Sequence, residues 1–157
     1  FKKVKTPQDV IKLGEKQLKK NIKTIGLYNS KAKNIITLSK ILKSKYKGKI
    51  PNEFEKLIKL PGVGIKTASV YQNVILKKPK IAVDTHVFRV SNRLGITKEK
   101  TVFKTQQKLE KIVPSKWKLK AHSLLILHGR YVCKSQKPNC KSCSLISYCN
   151  YKFKSNY

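Results

Sequence analysis

Apolar residues along this chain recur every three or four positions, which is the spacing of one face of an α-helix. Residues 54–58 form one such set, residues 68–75 form the next, and residues 32–42 form a longer one. The chain contains no convincing strand pattern, no heptad repeat and no low-complexity segment. The pattern therefore predicts an all-α fold.

A proline–glycine turn separates two of these helices. The segment Leu60–Ala68 is LPGVGIKTA, and Pro61 ends the first helix because the residue before a proline is disfavoured in the helical region. Gly62 and Gly64 can adopt positive φ and allow another backbone to come close. We therefore expect a helix–hairpin–helix over about residues 54–76.

The turn has the chemistry of a phosphate site. We expect the amides of Gly62, Val63 and Gly64, with those of the next helical turn, to lack internal partners beside the positive end of the helix dipole. Lys66 falls in that first turn. The same pattern also fits a plain connector between two helices, so the turn alone does not decide the function.

Capping signals mark two helices near the start of the chain. Thr6–Asp9 (TPQD) combines a threonine cap, a proline at the first helical position and an acid that completes a capping box. A basic helix should follow and end at Gly26. Asn29 and Ser30 are expected to cap the next helix.

A second signal surrounds Asp84. Residues 81–83 are apolar and are expected to be a short buried approach, after which Asp84 caps a helix that ends near Gly95. Residues 124–127 (LLIL) are expected to lie in a buried helix that leads to the cysteines. The all-α interpretation therefore extends to the second half of the chain.

Charge indicates the class of partner. The net charge is +30, from 37 basic and 7 acidic residues, which suggests a polyanion such as nucleic acid. Only Arg89, Arg93 and Arg130 are arginines, and the other basic residues are lysines. Lysine, isoleucine and asparagine are typical of A/T-rich codons, so part of this charge is explained by codon drift.

The ends of the chain and its apolar content set further expectations. There is no methionine, not even at position 1, so we expect the sequence to lack the N-terminal part of the protein. No stretch has the apolar length that is needed to cross a membrane.

The cysteines form one group near the C-terminus with the spacing C-x6-C-x2-C-x5-C: Cys133, Cys140, Cys143 and Cys149. Disulfides do not suit an unsecreted basic protein, whereas four thiolates suit zinc or an iron–sulfur cluster. The spacing leaves zinc and iron–sulfur open. The alternative is that a metal here only staples a small terminal domain.

Lysines lie between the first two cysteines. The loop at residues 134–139 carries Lys134 and Lys137. A metal that holds this loop rigid would allow it to press both cations against phosphates, so both are candidate DNA contacts.

These elements together resemble the endonuclease III family of DNA glycosylases, especially the bacterial enzymes. The similarity covers essentially the whole chain. It rests on KTIGLYNSKA at residues 23–32, LPGVG at 60–64, KTA at 66–68, AVDTH at 82–86, FRV at 88–90 and LILHGRY at 125–131.

The resemblance implies a particular architecture and cofactor. It implies two all-α lobes, a helical barrel with the helix–hairpin–helix over residues 1–78 and a cluster lobe over residues 79–157, with DNA across the groove between them. It also implies that the four cysteines bind a [4Fe–4S] cluster.

The resemblance implies an activity as well. The family removes oxidised pyrimidines from DNA and then cleaves the strand 3′ to the abasic site by β-elimination. Lys66 matches the family's nucleophilic lysine, and Asp84 matches its essential aspartate. The implied partner is double-stranded DNA with a damaged pyrimidine or an abasic site. We expect a monomer without membrane association, at the nucleoid in the bacterial cytoplasm.

The chain departs from the family pattern at a few places. Ile65 stands where the family often has arginine, and Ser91 stands where it often has a cysteine that is not a ligand. In the family, the segment before residue 1 also supplies a polar residue that fills the gap left by the flipped base.

Two other functions compete with this one. A mismatch adenine glycosylase of the same superfamily would share the aspartate and the cluster but typically lacks the lysine, so Lys66 disfavours it. The second competitor is a non-catalytic helix–hairpin–helix DNA-binding fragment with the metal as a staple. Covalent chemistry would distinguish the lyase from both.

Overall fold

The computed structural model describes residues 4–154, and these contain α-helices and one short 3-10 helix but no β-strand. The all-α prediction is confirmed. No helix in this range combines the length and apolarity that a bilayer crossing requires. The helices are α1 (Pro7–Asn21), α2 (Tyr28–Tyr46), α3 (Phe54–Leu57), α4 (Ile65–Val74), α5 (Thr85–Leu94), α6 (Val102–Ile112) and α7 (Ser115–Tyr131), and the 3-10 helix is Ile146–Tyr148.

The chain folds as two compact units. One unit ends at Ala68 and the other begins at Ser69, so the division falls within α4. The two lobes expected from the family, residues 1–78 and 79–157, stay a prediction, and their outer ends lie outside the described residues.

The first helix begins as expected but ends early. The Thr6 hydroxyl accepts from the Asp9 amide at 3.2 Å and the Asp9 carboxylate accepts from the Thr6 amide at 3.0 Å, which confirms the capping box. Gly14 interrupts α1 with a φ of 76°. The helix ends at Asn21, so the expected end at Gly26 was wrong.

The start of α2 also differs from the expectation. Leu27 is the N-cap in a left-handed conformation, with a φ of 58°, so Asn29 and Ser30 lie inside the first turn. The Lys31 ammonium donates to the Gly26 carbonyl at 2.6 Å and ties the helix to the turn before it. Behind this start, α2 packs against α1 through its buried face, which comprises Ala32, Ile36, Ser39 and Leu42.

The second unit is built around α5, which packs against α6 and α7. Its core contains residues from all three helices and from the segment before α5: Ile81, Val83, Val87, Leu109 and Ala121, with Phe88, Val113, Leu125 and Ile126 packed against them. Burial of 81–83 confirms the expected approach to α5.

Residues 124–127 are only half buried. Leu124 and Leu127 are 55% and 50% exposed, whereas Leu125 and Ile126 pack on the core. A helix turns by about 100° per residue, so four consecutive residues cannot all face one core. The expectation of a buried run was therefore wrong at its two outer positions.

Candidate active site and cysteine centre

The hairpin is a tight turn between α3 and α4. The Val63 amide donates to the Leu60 carbonyl at 3.0 Å, and Gly62 has a φ of 75°, as a type II turn requires at its third residue. The Gly64 carbonyl then accepts the first helical bond of α4, from Ala68 at 3.0 Å. The helix–hairpin–helix prediction is therefore confirmed as local structure.

One expectation about the turn was wrong. The amide of Val63 is used inside the turn and does not point away from it as an unpartnered donor. The reason is that in a type II turn the amide of the fourth residue, here Val63, donates to the carbonyl of the first. The amides of Gly62 and Gly64 and those in the first turn of α4 remain the candidates for a phosphate.

A side chain of α2 supports the turn. Gly62 lies so close to α2 that a Cβ at this position would come within 3.0 Å of the Asn34 Cβ. Gly64 has no such neighbour, since a Cβ there would meet nothing within 4 Å. Gly62 is therefore required by its backbone conformation and by packing against α2. No contact within the protein requires a glycine at position 64.

Lys66 is the second residue of α4 and its side chain is exposed. It follows the glycine turn directly, so it lies at the positive end of the α4 dipole, where an anion is also favoured. This position would bring a primary amine close to an anion bound at the N-terminus of α4. Lys66 belongs to the first unit and Asp84 to the second.

Asp84 is the N-cap of α5, as the sequence predicted. Its Oδ1 accepts from the amides of His86 at 2.9 Å and Val87 at 3.0 Å, and the residue is partly buried. The two bonds hold the carboxylate at the N-terminus of α5. The helix cap and the candidate catalytic group are therefore the same side chain.

The chain before Asp84 is held in place by several side chains. His122 is buried and its Nδ1 lies 2.7 Å from the Ala82 carbonyl, so Nδ1 carries the proton and donates it. Asn73 donates to the Lys80 carbonyl at 2.6 Å, and Lys80 pairs with Glu110 at 3.2 Å. These contacts fix the position from which Asp84 begins α5.

The four cysteines line one cavity. The cavity is small, about 20 Å³, and apolar residues form part of its wall: Leu94, Val132, Pro138 and Ile146. Among residues 4–154, no three cysteine, histidine or carboxylate side chains converge closely enough to hold one metal ion.

Polar groups also reach the cysteine sulfurs. The Tyr151 amide donates to Cys149 Sγ at 3.5 Å, and His128 Nε2 lies 3.8 Å from Cys143 Sγ. Hydrogen bonds of this kind tune the ligands of metal centres.

Cys140 is the most enclosed of the four, with 8% of its surface exposed. Burial raises the pKa of the Cys140 thiol, and the negative charges of the neighbouring cysteines Cys133, Cys149 and Cys143 raise it further. Cys140 therefore favours the neutral thiol in the absence of a metal, and metal binding would have to displace its proton.

The loop between the first two cysteines presents its lysines to solvent. Lys134 and Lys137 are exposed, and Lys137 has a positive φ of 45°. The Val132 carbonyl closes the loop by accepting from the amides of Lys134 and Asn139 at 2.9 and 3.0 Å. The loop therefore holds both cations at the surface of the second unit.

Two arginines of α5 that the sequence did not single out contact the cysteine segment, which is defined here as residues 133–151. Arg89 donates to the carbonyls of Cys133 at 3.1 Å and Gly129 at 2.8 Å. Arg93 donates to Cys133 Sγ at 3.6 Å. The available signal was the scarcity of arginine in a lysine-rich chain, which makes the three arginine positions stand out.

Comparison with known proteins gives consistent results. Residues 1–115 match the model of the HhH-GPD superfamily base excision DNA repair protein. Endonuclease III of Rickettsia conorii is 55% identical over 148 residues, which are 94% of this chain and 70% of that protein. Endonuclease III of Escherichia coli is 48% identical over 149 residues, or 95% of this chain and 71% of that protein.

Solved structures show the same similarity in three dimensions. A trapped covalent intermediate of endonuclease III with DNA matches with a TM-score of 0.93 and 43% identity, covering 100% of this chain and 74% of that one. A thermostable thymine-DNA glycosylase matches with a TM-score of 0.85 and 27% identity, covering 96% and 71%. The chain belongs to the HhH-GPD superfamily of base excision repair proteins and, within it, to the endonuclease III family of DNA glycosylases and abasic-site lyases.

Proposed function

We propose that this chain removes oxidised pyrimidines from double-stranded DNA and cleaves the strand 3′ to the resulting abasic site, with Lys66 as the nucleophile. The observation that carries the proposal is the position of Lys66 in the first turn of α4, directly after the glycine turn. A mismatch adenine glycosylase is not favoured, because that class typically lacks this lysine.

The reaction begins with a base that leaves the helical stack. The target is the anomeric carbon of the sugar, which is hidden within the duplex, so flipping costs a few kcal/mol and costs least for a damaged base. The Lys66 amine bonds to this carbon as the bond to the base breaks, and the base leaves with a proton. Cleavage of the bond between this carbon and the ring oxygen then gives a Schiff base, which eases loss of a C2′ proton and β-elimination of the 3′ phosphate.

Lys66 must lose its proton before it can attack. A helix dipole contributes only about 0.3–1 kcal/mol to a charge at its end. A larger contribution is needed, and the exposed side chain of Lys66 allows the substrate to supply it. We propose that desolvation under the bound duplex supplies it.

Asp84 has an electrostatic role in this proposal. The positive N-terminus of α5 favours the negative charge of its cap, so the carboxylate is suited to stabilise the cationic sugar as the base leaves.

We propose that Cys133, Cys140, Cys143 and Cys149 hold a [4Fe–4S] cluster. One zinc ion needs its four sulfurs within roughly 4 Å of one another, whereas in a cluster each cysteine binds a different iron. The four cysteines line one cavity, and their spacing C-x6-C-x2-C-x5-C matches the cluster loop of the endonuclease III family, which favours the cluster. When bound, the cluster supplies a rigid support for the segment that carries it.

The proposed DNA contacts are on both units. The hairpin would approach phosphates through Gly62, Val63 and Gly64. The amide of Val63 is used inside the turn, so this residue would contribute by maintaining the shape of the turn. Lys134 and Lys137 would approach phosphates on the cysteine loop. The solved relatives include covalent and non-covalent endonuclease III–DNA complexes. We further propose that the chain acts as a monomer at the nucleoid in the bacterial cytoplasm.

Borohydride trapping on a duplex with one abasic site tests this function. The wild-type chain should form a covalent adduct, Lys66→Ala should form none, and Lys16→Ala should behave as wild type, because Lys16 is an exposed lysine on α1. A folded wild-type chain that gives no adduct would exclude the Schiff-base mechanism and leave a monofunctional glycosylase or a binding module.

A further inference from the structure

Arginine is rare in this chain, and its positions are informative. Three of the 37 basic residues are arginines, and two of them, Arg89 and Arg93, are one turn apart on α5. Both side chains reach the cysteine segment, which begins about 40 residues later. Arginine differs from lysine in its planar fork of donors, which can bind several acceptors at once.

Arg93 holds the beginning of the cysteine segment. Its Nη1 donates to Cys133 Sγ at 3.6 Å and to the Lys134 carbonyl at 2.6 Å, and its Nη2 donates to the Ser135 carbonyl at 3.0 Å. One guanidinium therefore binds a ligand sulfur and the loop after it. These bonds are charge-assisted, and such bonds are stronger than neutral ones.

The same residue holds the end of the segment. The Asn150 amide donates to the Arg93 carbonyl at 3.1 Å, and the Tyr151 ring lies under the guanidinium, 4.2 Å from its carbon. Gly95 permits this approach, since a Cβ there would overlap the Asn150 side chain. Arg93 thus contacts both the first and the last parts of the cysteine segment.

We propose that Arg93 is a positioning residue for the metal centre, one that closes the cysteine segment and donates to the Cys133 sulfur. This inference rests on the proposed cluster. Loss of the Nη1 bond would make the sulfur more electron-rich and lower the reduction potential of the cluster, because hydrogen bonds to the sulfurs help to set that potential.

Lysine cannot replace Arg93 in this role. Its ammonium carries the same charge but is one point at the end of a flexible chain, so it cannot donate in two directions and stack on Tyr151 at once. Arg93→Lys therefore separates the geometry of the fork from its charge. Arg130→Lys is the matched control, because Arg130 is the remaining arginine and is exposed.

The experiment compares the anaerobically purified wild-type chain with Arg93→Lys, Arg130→Lys and Tyr151→Leu. Three quantities are measured: iron and sulfide content, the half-life of the cluster absorbance in the presence of a chelator, and the midpoint potential of the loaded protein by film voltammetry. Far-UV circular dichroism reports whether each variant keeps its helices.

We expect Arg93→Lys to lose iron about tenfold faster than wild type and to have a lower midpoint potential, since loss of a supporting hydrogen bond typically costs that much in metal affinity. Tyr151→Leu should lose iron faster by a smaller factor, and Arg130→Lys should match wild type. If Arg93→Lys does not fold, an unchanged half-life in Tyr151→Leu would overturn the proposal.

The results also separate this inference from the proposed cofactor. A wild-type chain that binds no iron and sulfide would refute the cluster itself. A wild-type chain with a full cluster, together with an Arg93→Lys variant of equal half-life and potential, would refute only the role of Arg93.

Discussion

Individual side chains were predictable where their partners are local. Asp84 could be identified as a helix cap because the amides that donate to it, those of His86 and Val87, lie two and three residues away. The roles of Arg89 and Arg93 could not be identified, because their partners lie about 40 residues further along the chain and only the fold brings them together. Lys66 stands out in a lysine-rich chain by its place after the glycine turn.

Asp84→Asn should reduce base release by about 10²–10³-fold in single-turnover assays, which is the typical cost of losing one transition-state electrostatic contact. Asparagine caps helices about as well as aspartate, so the melting temperature should stay near wild type. Asp84→Ala, the companion variant, should lose both activity and about 1 kcal/mol of stability. Unchanged base release in Asp84→Asn would refute the electrostatic role.

The helices themselves followed the sequence pattern better than their ends did. The predicted N-cap of α1 at Thr6 and the predicted start and end of α5 at Asp84 and Gly95 were correct. Each of these ends is set by a side chain or a glycine within its own turn. The start of α2 was missed because Leu27, a residue with no capping side chain, adopts a left-handed conformation. The left-handed conformation of Leu27 depends on the surrounding structure, and no residue type in the sequence indicates it.

The two hairpin glycines should respond differently to alanine. Gly62→Ala puts a side chain at positive φ and against Asn34, so it should destabilise the fold by about 1–3 kcal/mol. Gly64→Ala meets nothing within the protein and should melt as wild type does, yet bind an abasic duplex more weakly if phosphates approach there. Thermal melts and fluorescence anisotropy measure the two effects.

Equal duplex affinity in Gly64→Ala and wild type would show that the hairpin backbone does not approach DNA closely at this glycine. Equal melting temperatures in Gly62→Ala and wild type would contradict the packing of the turn against α2.

The molecule as a whole carries far more positive charge than its proposed DNA contacts require. A net charge of +30 indicates a nucleic-acid partner. Mutational drift toward A/T-rich codons would add lysines without regard to the position of a binding surface. Composition therefore gave the class of partner and could not locate the interface. The fold class was predictable from periodicity, whereas the arrangement of the cysteine segment depends on contacts with α5 that are distant in sequence.

Salt dependence can locate the interface. Lys134→Ala with Lys137→Ala should lower the slope of log K against log salt by about 2, or roughly one for each phosphate that is no longer neutralised. The control, Lys16→Ala with Lys20→Ala, removes the same charge from exposed positions on α1 and should leave the slope nearly unchanged. Equal slope changes in both double variants would mean that the cysteine loop makes no special contact with DNA.

The measurement that tests the central claim most directly is the site of covalent attachment. The wild-type chain is trapped with borohydride on an abasic duplex, the complex is digested with protease and nuclease, and the modified peptide is sequenced by mass spectrometry. We predict a single adduct on Lys66. An adduct on any other amine, with Lys66 unmodified, would contradict the assignment of Lys66 as the nucleophile.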